Sequence, residues 1–230
     1  MNQKLRSEHI RHKLLGAMSI IIVSLLIISV PLTVNSYSSY KKSEVALSEI
    51  LVLQNVAELA NNISKERAPS NKVMSSTPEE LQENLNELSE YRKQVDRQIQ
   101  KTVYALNSHG FSDQSEALYI NLIKRLETGR KAVDEYAATP VPMRSAEQLD
   151  EAIKKMFRAW DATHSVLKDV VYHSVGRTSS ISDNYTLVLL LADLRDQAGR
   201  VASTIMAAVS YQQPISENNI SRSLQNQYQV

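Results

Sequence analysis

Apolar positions in this chain form one unbroken run near the N-terminus, and beyond it they recur every three or four residues through long stretches. From Leu14 to Val30 the sequence LLGAMSIIIVSLLIISV carries no charge, and Pro31, Leu32, Thr33 and Val34 extend it. About twenty residues of this character suit a hydrocarbon layer roughly 30 Å thick. Residues 14–34 are therefore read as a transmembrane helix, with residues 1–13 before it and a folded domain over residues 35–230 after it. Past the apolar run, Val52, Val56, Leu59 and Ile63 take coiled-coil spacing, which predicts that the anchor and the first outer helix run as one rod.

The remaining pattern predicts four more helices. Pro69 and Pro78 bracket an expected break at SNKVMSSTP. A second helix then carries Leu81, Leu85, Leu88, Val95, Ile99 and Leu106 up to a turn at His109-Gly110, with Thr77 as its cap and Pro78 as its first residue. A third, from about Ser112, presents Tyr119, Leu122, Leu126, Val133 and Tyr136 on one face and ends before Pro140 and Pro142. The fourth opens on Ser145-Ala-Glu-Gln148, a capping-box pattern, and shows Leu149, Ile153, Met156, Trp160, Leu167 and Val170. In the fifth, Leu187, Leu191, Leu194, Ala198, Val201 and Ile205 define the expected core face, which stops near Pro214. The fold class expected is all-α: an N-terminal transmembrane helix continuous with an elongated antiparallel bundle whose long axis follows the membrane normal.

Orientation comes from the flanks. Lys4, Arg6, Arg11 and Lys13 precede the apolar run against the lone Glu8, and the excess of basic residues places the N-terminus in the cytoplasm and the bundle outside. The run is long for the core of a signal peptide and no A-x-A cleavage site follows it, so an uncleaved anchor is the preferred reading. The other apolar stretch, Leu187 to Ala192, meets Asp193, Arg195 and Asp196 at once and is too short to span. A receptor normally needs a cytoplasmic output module, which the residues before Leu14 cannot form. The expectation is a receptor cut short before a second transmembrane helix, or one that signals through a partner. A faint repeat points the same way: Ala57-Glu-Leu59 and Ala192-Asp-Leu194 lie about 135 residues apart and lead to Pro78 and Pro214, with Leu88 and Leu224 beyond.

Composition narrows the function. The 26 basic and 25 acidic residues leave a net charge of +1, with no concentrated basic face for nucleic acid. With 43% hydrophobic residues the chain can build a core, and 5 Gly and 6 Pro fit helices better than a turn-rich β fold. Zero Cys removes thiolate metal sites and disulfides. The five histidines, His9, His12, His109, His164 and His173, have no metal-ligand spacing, and neither a nucleophile elbow nor a phosphate-binding loop occurs. No metal, cofactor or enzyme activity is expected.

Two stretches carry candidate chemistry. In Asn62-Ile-Ser-Lys-Glu-Arg-Ala-Pro-Ser-Asn71, Arg67 stands just before a proline, where its guanidinium can present a fork to an anion. In Leu194-Arg-Asp-Gln-Ala-Gly-Arg-Val-Ala-Ser203, the small residues Ala198, Gly199, Ala202 and Ser203 admit a close neighbour while Arg195 and Arg200 supply charge. The plainer alternative makes Glu66, Arg67, Asp196 and Arg200 solvated or salt-bridged surface charges and the small residues a packing face. Arg92, between Leu88 and Val95, falls on an apolar seam and reads as a snorkelling or paired charge.

Through ISKERAPSN (Ile63 to Asn71), LRDQAGRVAS (Leu194 to Ser203) and the charged N-terminus with its transmembrane helix, the sequence resembles the helical extracytoplasmic sensor modules of bacterial receptors. These are of the nitrate- and nitrite-sensing type found ahead of diguanylate cyclases, chemoreceptors and histidine kinases. The resemblance implies an inner-membrane, single-pass protein with a periplasmic sensor domain that binds a small anion between helices. It nominates Arg67, Arg195 and Arg200 as ligand-binding residues, with Asn71 and Gln197 as hydrogen-bond partners. It also implies a homodimer or a membrane-protein partner. The alternative is a non-catalytic interaction protein that pairs through its bundle. An inward Arg67 or Arg200 favours sensing, and a continuous exposed apolar stripe favours pairing.

Overall fold

The computed structural model describes residues 2–177 and 182–211, and among them every long element is an α-helix. These are α1 (Asn2–Met74), α2 (Leu81–Ser108), α3 (Ser112–Ala138), α4 (Ala146–Arg177) and α5 (Ser182–Tyr211), with a short 3-10 turn at Val141–Met143. The all-α class is as the periodicity predicts. The chain divides into two compact units, Met1–Leu47 and Ser48–Val230.

In the first unit the apolar side chains from Leu14 to Val34 are exposed. Within His12–Met74 lies the one segment among the described residues that is long and apolar enough to cross a membrane, with a mean hydropathy of 2.5. Its polar side chains turn back onto their own helix: Ser19 Oγ donates to the Leu15 carbonyl at 2.9 Å and Thr33 Oγ1 to the Ser29 carbonyl at 2.8 Å. That bonding spares these two hydroxyl donors the cost of facing lipid without a partner.

In the second unit the helices share two apolar clusters. One joins Val52, Val56 and Ile63 of α1 with Val95 and Leu106 of α2, Leu118 and Leu122 of α3, Trp160 and Val170 of α4, and Tyr185 of α5. The other joins Val73 and Met74 with Leu88, Val133, Tyr136, Leu149 and Ile153, and Met206 and Ala207 of α5 pack against it. Following each helix from one cluster to the other gives alternating directions from α1 to α5, the up-and-down order of a bundle with short connections. Two elements close as their residues dictate. Gly110 turns the chain between α2 and α3 with a φ of 82°, a conformation that costs glycine little. Ser145 and Gln148 cap α4 reciprocally, at 3.1 and 3.2 Å.

Four expectations are corrected. Pro69 does not open a break: α1 continues through it to Met74, and the turn falls at residues 75–80. Proline removes one amide donor, and the flank is held by Ser70 Oγ donating to the Glu66 carbonyl at 2.8 Å. Accordingly α2 begins at Leu81, with Thr77 and Pro78 in the turn before it. Thr77 there donates through Oγ1 to Glu80 Oε2 at 3.3 Å. On α3 the buried stripe runs through Ser115, Leu118, Leu122 and Leu126, and Tyr119 is 59% exposed. The largest correction concerns α5. Leu187, Leu191, Leu194, Val201 and Ile205, expected in the core, are 40 to 68% exposed, and Ala198 is exposed with them. The inward face instead carries Tyr185, Asp196 and Ser203, with Val188, Leu189 and Ala192 packed on the core. The repeat's later landmarks, Pro214 and Leu224, lie outside the described residues.

Candidate functional site: a charged layer through the bundle

Between the two apolar clusters every helix of the second unit contributes polar or charged side chains. α1 places Glu66 and Arg67 in adjacent positions, so the two point to different neighbours. Arg67 turns toward α5, where its Nη1 meets Asp196 Oδ1 at 2.6 Å, with the two side chains 4% and 2% exposed. Its Nη2 donates to Ser64 Oγ at 2.6 Å, and the guanidinium lies 5.5 Å from the centre of the Phe157 ring. Asp196 is shared: its Oδ2 accepts from Arg200 Nε, while Arg200 Nη2 reaches Asp161 on α4. Arg200 also lies over the same Phe157 ring, at 4.7 Å. One turn along, Asn71 Nδ2 donates to Ser203 Oγ at 2.9 Å. Asn71 Oδ1 is buried without a hydrogen-bond partner among the described residues.

Glu66 turns the other way. Arg130 of α3 grips it with a fork, Nε to Oε1 and Nη2 to Oε2, both at 2.8 Å. The third arm of Arg130 reaches Asp96 at 2.7 Å. Arg92 makes its own fork to Asp134 at 2.9 and 2.8 Å and approaches Glu66 at 3.6 Å, so the paired reading of this seam arginine holds. Four guanidinium groups thus meet five carboxylates within one layer. A cavity of about 20 Å³ sits among Glu66, Arg67, Gly129, Arg130, Met156 and Ala159, room for about one water molecule.

The electrostatics follow the burial. Desolvation lowers the pKa of Arg67, and Asp196 only partly offsets it. For Arg130 burial also opposes the charge, but Glu66 and Asp96 outweigh it and the pKa is raised. Arg200 behaves likewise through Asp196 and Asp161. Next to this layer His164 stacks on Trp160 with ring centres 4.4 Å apart and holds Asp193 through Nε2 at 3.1 Å.

Of the residues nominated from sequence, Arg67 and Asn71 of α1 and Arg200 of α5 come together where the two helices face each other. Gln197 is half-buried and Arg195 is exposed. Of the four small residues, Gly199 and Ser203 face α1, whereas Ala198 and Ala202 face out. Sequence reasoning missed Arg130 and Asp96, and with them the partner that Glu66 faces. The signal was present in Gly129-Arg130, which interrupts the apolar stripe between Leu126 and Val133 just as Arg92 interrupts the one between Leu88 and Val95. No family model, curated protein or solved structure matches this chain.

Proposed function

We propose that this chain is a membrane-anchored, non-catalytic signalling domain that senses a small anion at the charged layer, with the anion competing against Asp196 for Arg67 and Arg200. The observation that carries the reading is the way α5 is attached. It is held to α1 by a buried ion pair and a side-chain hydrogen bond, Arg67 to Asp196 and Asn71 to Ser203. Buried charges of this kind often cost stability relative to apolar packing. Their use here fits an element meant to move. Asp196 is then a built-in stand-in for the ligand's negative charge. The one-water cavity beside Arg67 is lined by Glu66 and Arg130 and by no residue of α5, so an anion held by both Arg67 and Arg200 takes the place of the Asp196 carboxylate between them. Binding and displacement of α5 against α1 become a single event, which gives the ligand the differential affinity that a conformational signal requires. The helix carrying Arg67 also carries the membrane segment, and the reading places the anchored protein in a bacterial inner membrane with the bundle in the periplasm.

The test is a thermal-shift titration of the full chain in detergent with nitrate, nitrite and acetate. A saturable rise in melting temperature supports the reading. Arg67→Ala and Arg200→Ala should weaken the effect. Asp196→Asn should strengthen affinity by about tenfold or more, since a competitor worth over 1.4 kcal/mol is removed. If neither the native chain nor Asp196→Asn responds to any of these anions, sensing at this layer is wrong. A second reading, an interaction protein that pairs through its bundle, is favoured by the exposed apolar stripe on α5.

A further inference from the structure

α5 carries two stripes on opposite sides. The inward one, Tyr185, Leu189, Ala192, Asp196, Gly199 and Ser203, keeps the helix on the bundle. The outward one, Leu187, Leu191, Leu194, Ala198, Val201 and Ile205, alternates steps of four and three residues, the spacing of a coiled-coil seam. Leu190 and Val209 widen it, at 46 and 70% exposure. The stripe runs about 33 Å at 1.5 Å per residue. Isolated exposed leucines are ordinary on a soluble surface, but a continuous heptad seam of this length is not.

We infer that this outer face is the self-association surface of the protein, pairing parallel and in register with α5 of a second copy. This rests on the pairing reading above and holds whether or not the charged layer binds an anion. Heptad spacing calls for another helix with the same spacing, and a second copy supplies one whose seam residues meet their own counterparts across a two-fold axis. Membrane anchors would hold two copies in the same direction in one plane, which raises their effective concentration. Charge agrees with the register. Arg195 is the one charged residue among the exposed positions from Leu187 to Val209. In a parallel pair its neighbour across the seam is Leu190 of the second copy, so no like charges oppose each other. Ala198, at the middle of the seam, lets the helices come close. The stretch after α5 is a poor cover: over residues 215–230 the apolar residues Ile215, Ile220, Leu224, Tyr228 and Val230 are scattered among Ser, Asn and Gln.

The absence of cysteine makes the experiment clean. Single cysteines are placed by Leu194→Cys and Val201→Cys on the seam, and by Tyr119→Cys on α3 as an exposed control. The full chain is oxidised in native membranes and read as dimer on a non-reducing gel. Residues 194 and 201 should link to themselves in most chains and residue 119 in few, and adding Leu191→Glu should cut the 194 link about tenfold. Seam cysteines that link no better than the control overturn the inference. If they also resist a water-soluble maleimide, another occupant covers the seam and pairing survives without the second copy. If they label freely, pairing fails as well.

Discussion

The Arg67 guanidinium lies directly over Gly199, so close that a Cβ at 199 would overlap Nη2 and stand 3.0 Å from Cζ. Glycine is needed here for space, since the flat side chain uses the room a methyl would take. Gly199→Ala forces either α5 outward or Arg67 off Asp196. The expected loss is about 1–3 kcal/mol, the range for overpacking a fitted contact. Ala117→Ser, on the exposed side of α3, should stay within about 0.5 kcal/mol. Denaturant midpoints of the two variants in the same detergent decide it; equal effects would mean that the Arg67–Gly199 crossing is not a tight contact.

The pair beneath that contact gives a sharper test. Asp196→Asn leaves Arg67 buried with its charge unanswered, and breaking a pair of this kind costs about 3–5 kcal/mol. Arg67→Met combined with the same Asp196→Asn removes both charges of the pair and leaves Arg200 an acceptor at 196, so the double variant should recover at least half of that loss. A double-mutant cycle on melting temperatures measures the coupling. Additive losses would show that the two side chains do not depend on each other.

Much of this fold could be read from local signals. Gly110, the prolines at 140 and 142, and the Ser145–Gln148 box mark boundaries that sit where expected. Pro69 misled because a helix tolerates one missing amide when neighbouring side chains and packing secure the flank. The face of α5 misled for a different reason. Its apolar stripe is the stronger pattern, but Arg67 and Asn71 on α1 need polar partners, and only the Asp196–Ser203 side provides them. That demand arises from pairings separated by 129 and 132 residues, which no local periodicity reports. The candidate site was legible by half: Arg67 and Arg200 were found as cations, and their pairing with Asp196 was the plainer alternative, but as charges on the surface and not as a layer buried in the bundle.

His164 predicts a pH dependence. Burial lowers its pKa below the ordinary 6.5, against the pull of Asp193, with Lys168 adding to the lowering and Asp196 and Asp161 opposing it. The unfolded chain therefore takes up a proton near pH 6.5 that the folded chain resists. Stability should be unaffected above that pH and fall as the pH drops from about 6.5 toward the lowered folded value. Unfolding midpoints at closely spaced pH values, for the native chain and for His164→Gln, check the sign. The slope just below pH 6.5 should be shallower in the variant, and a slope unchanged by the substitution would assign it to other groups.

Arg92 and Arg130 stand in the same layer and are about equally exposed, at 20 and 18% of their side chains, yet they should respond differently to lysine. Arg130 forks onto Glu66, which is 7% exposed, and spends its third arm on Asp96. Arg92 forks onto Asp134, which is 47% exposed and can turn to water instead. Lysine keeps the charge but cannot make two parallel bonds or reach in three directions. Arg130→Lys therefore leaves a buried carboxylate short of a partner, an expected loss of about 1–3 kcal/mol. Arg92→Lys weakens a mostly surface pair and should cost less than about 1 kcal/mol. Measured under identical conditions, the ratio of the two losses reports whether burial of the accepting carboxylate, and not of the arginine, sets the strength of this layer.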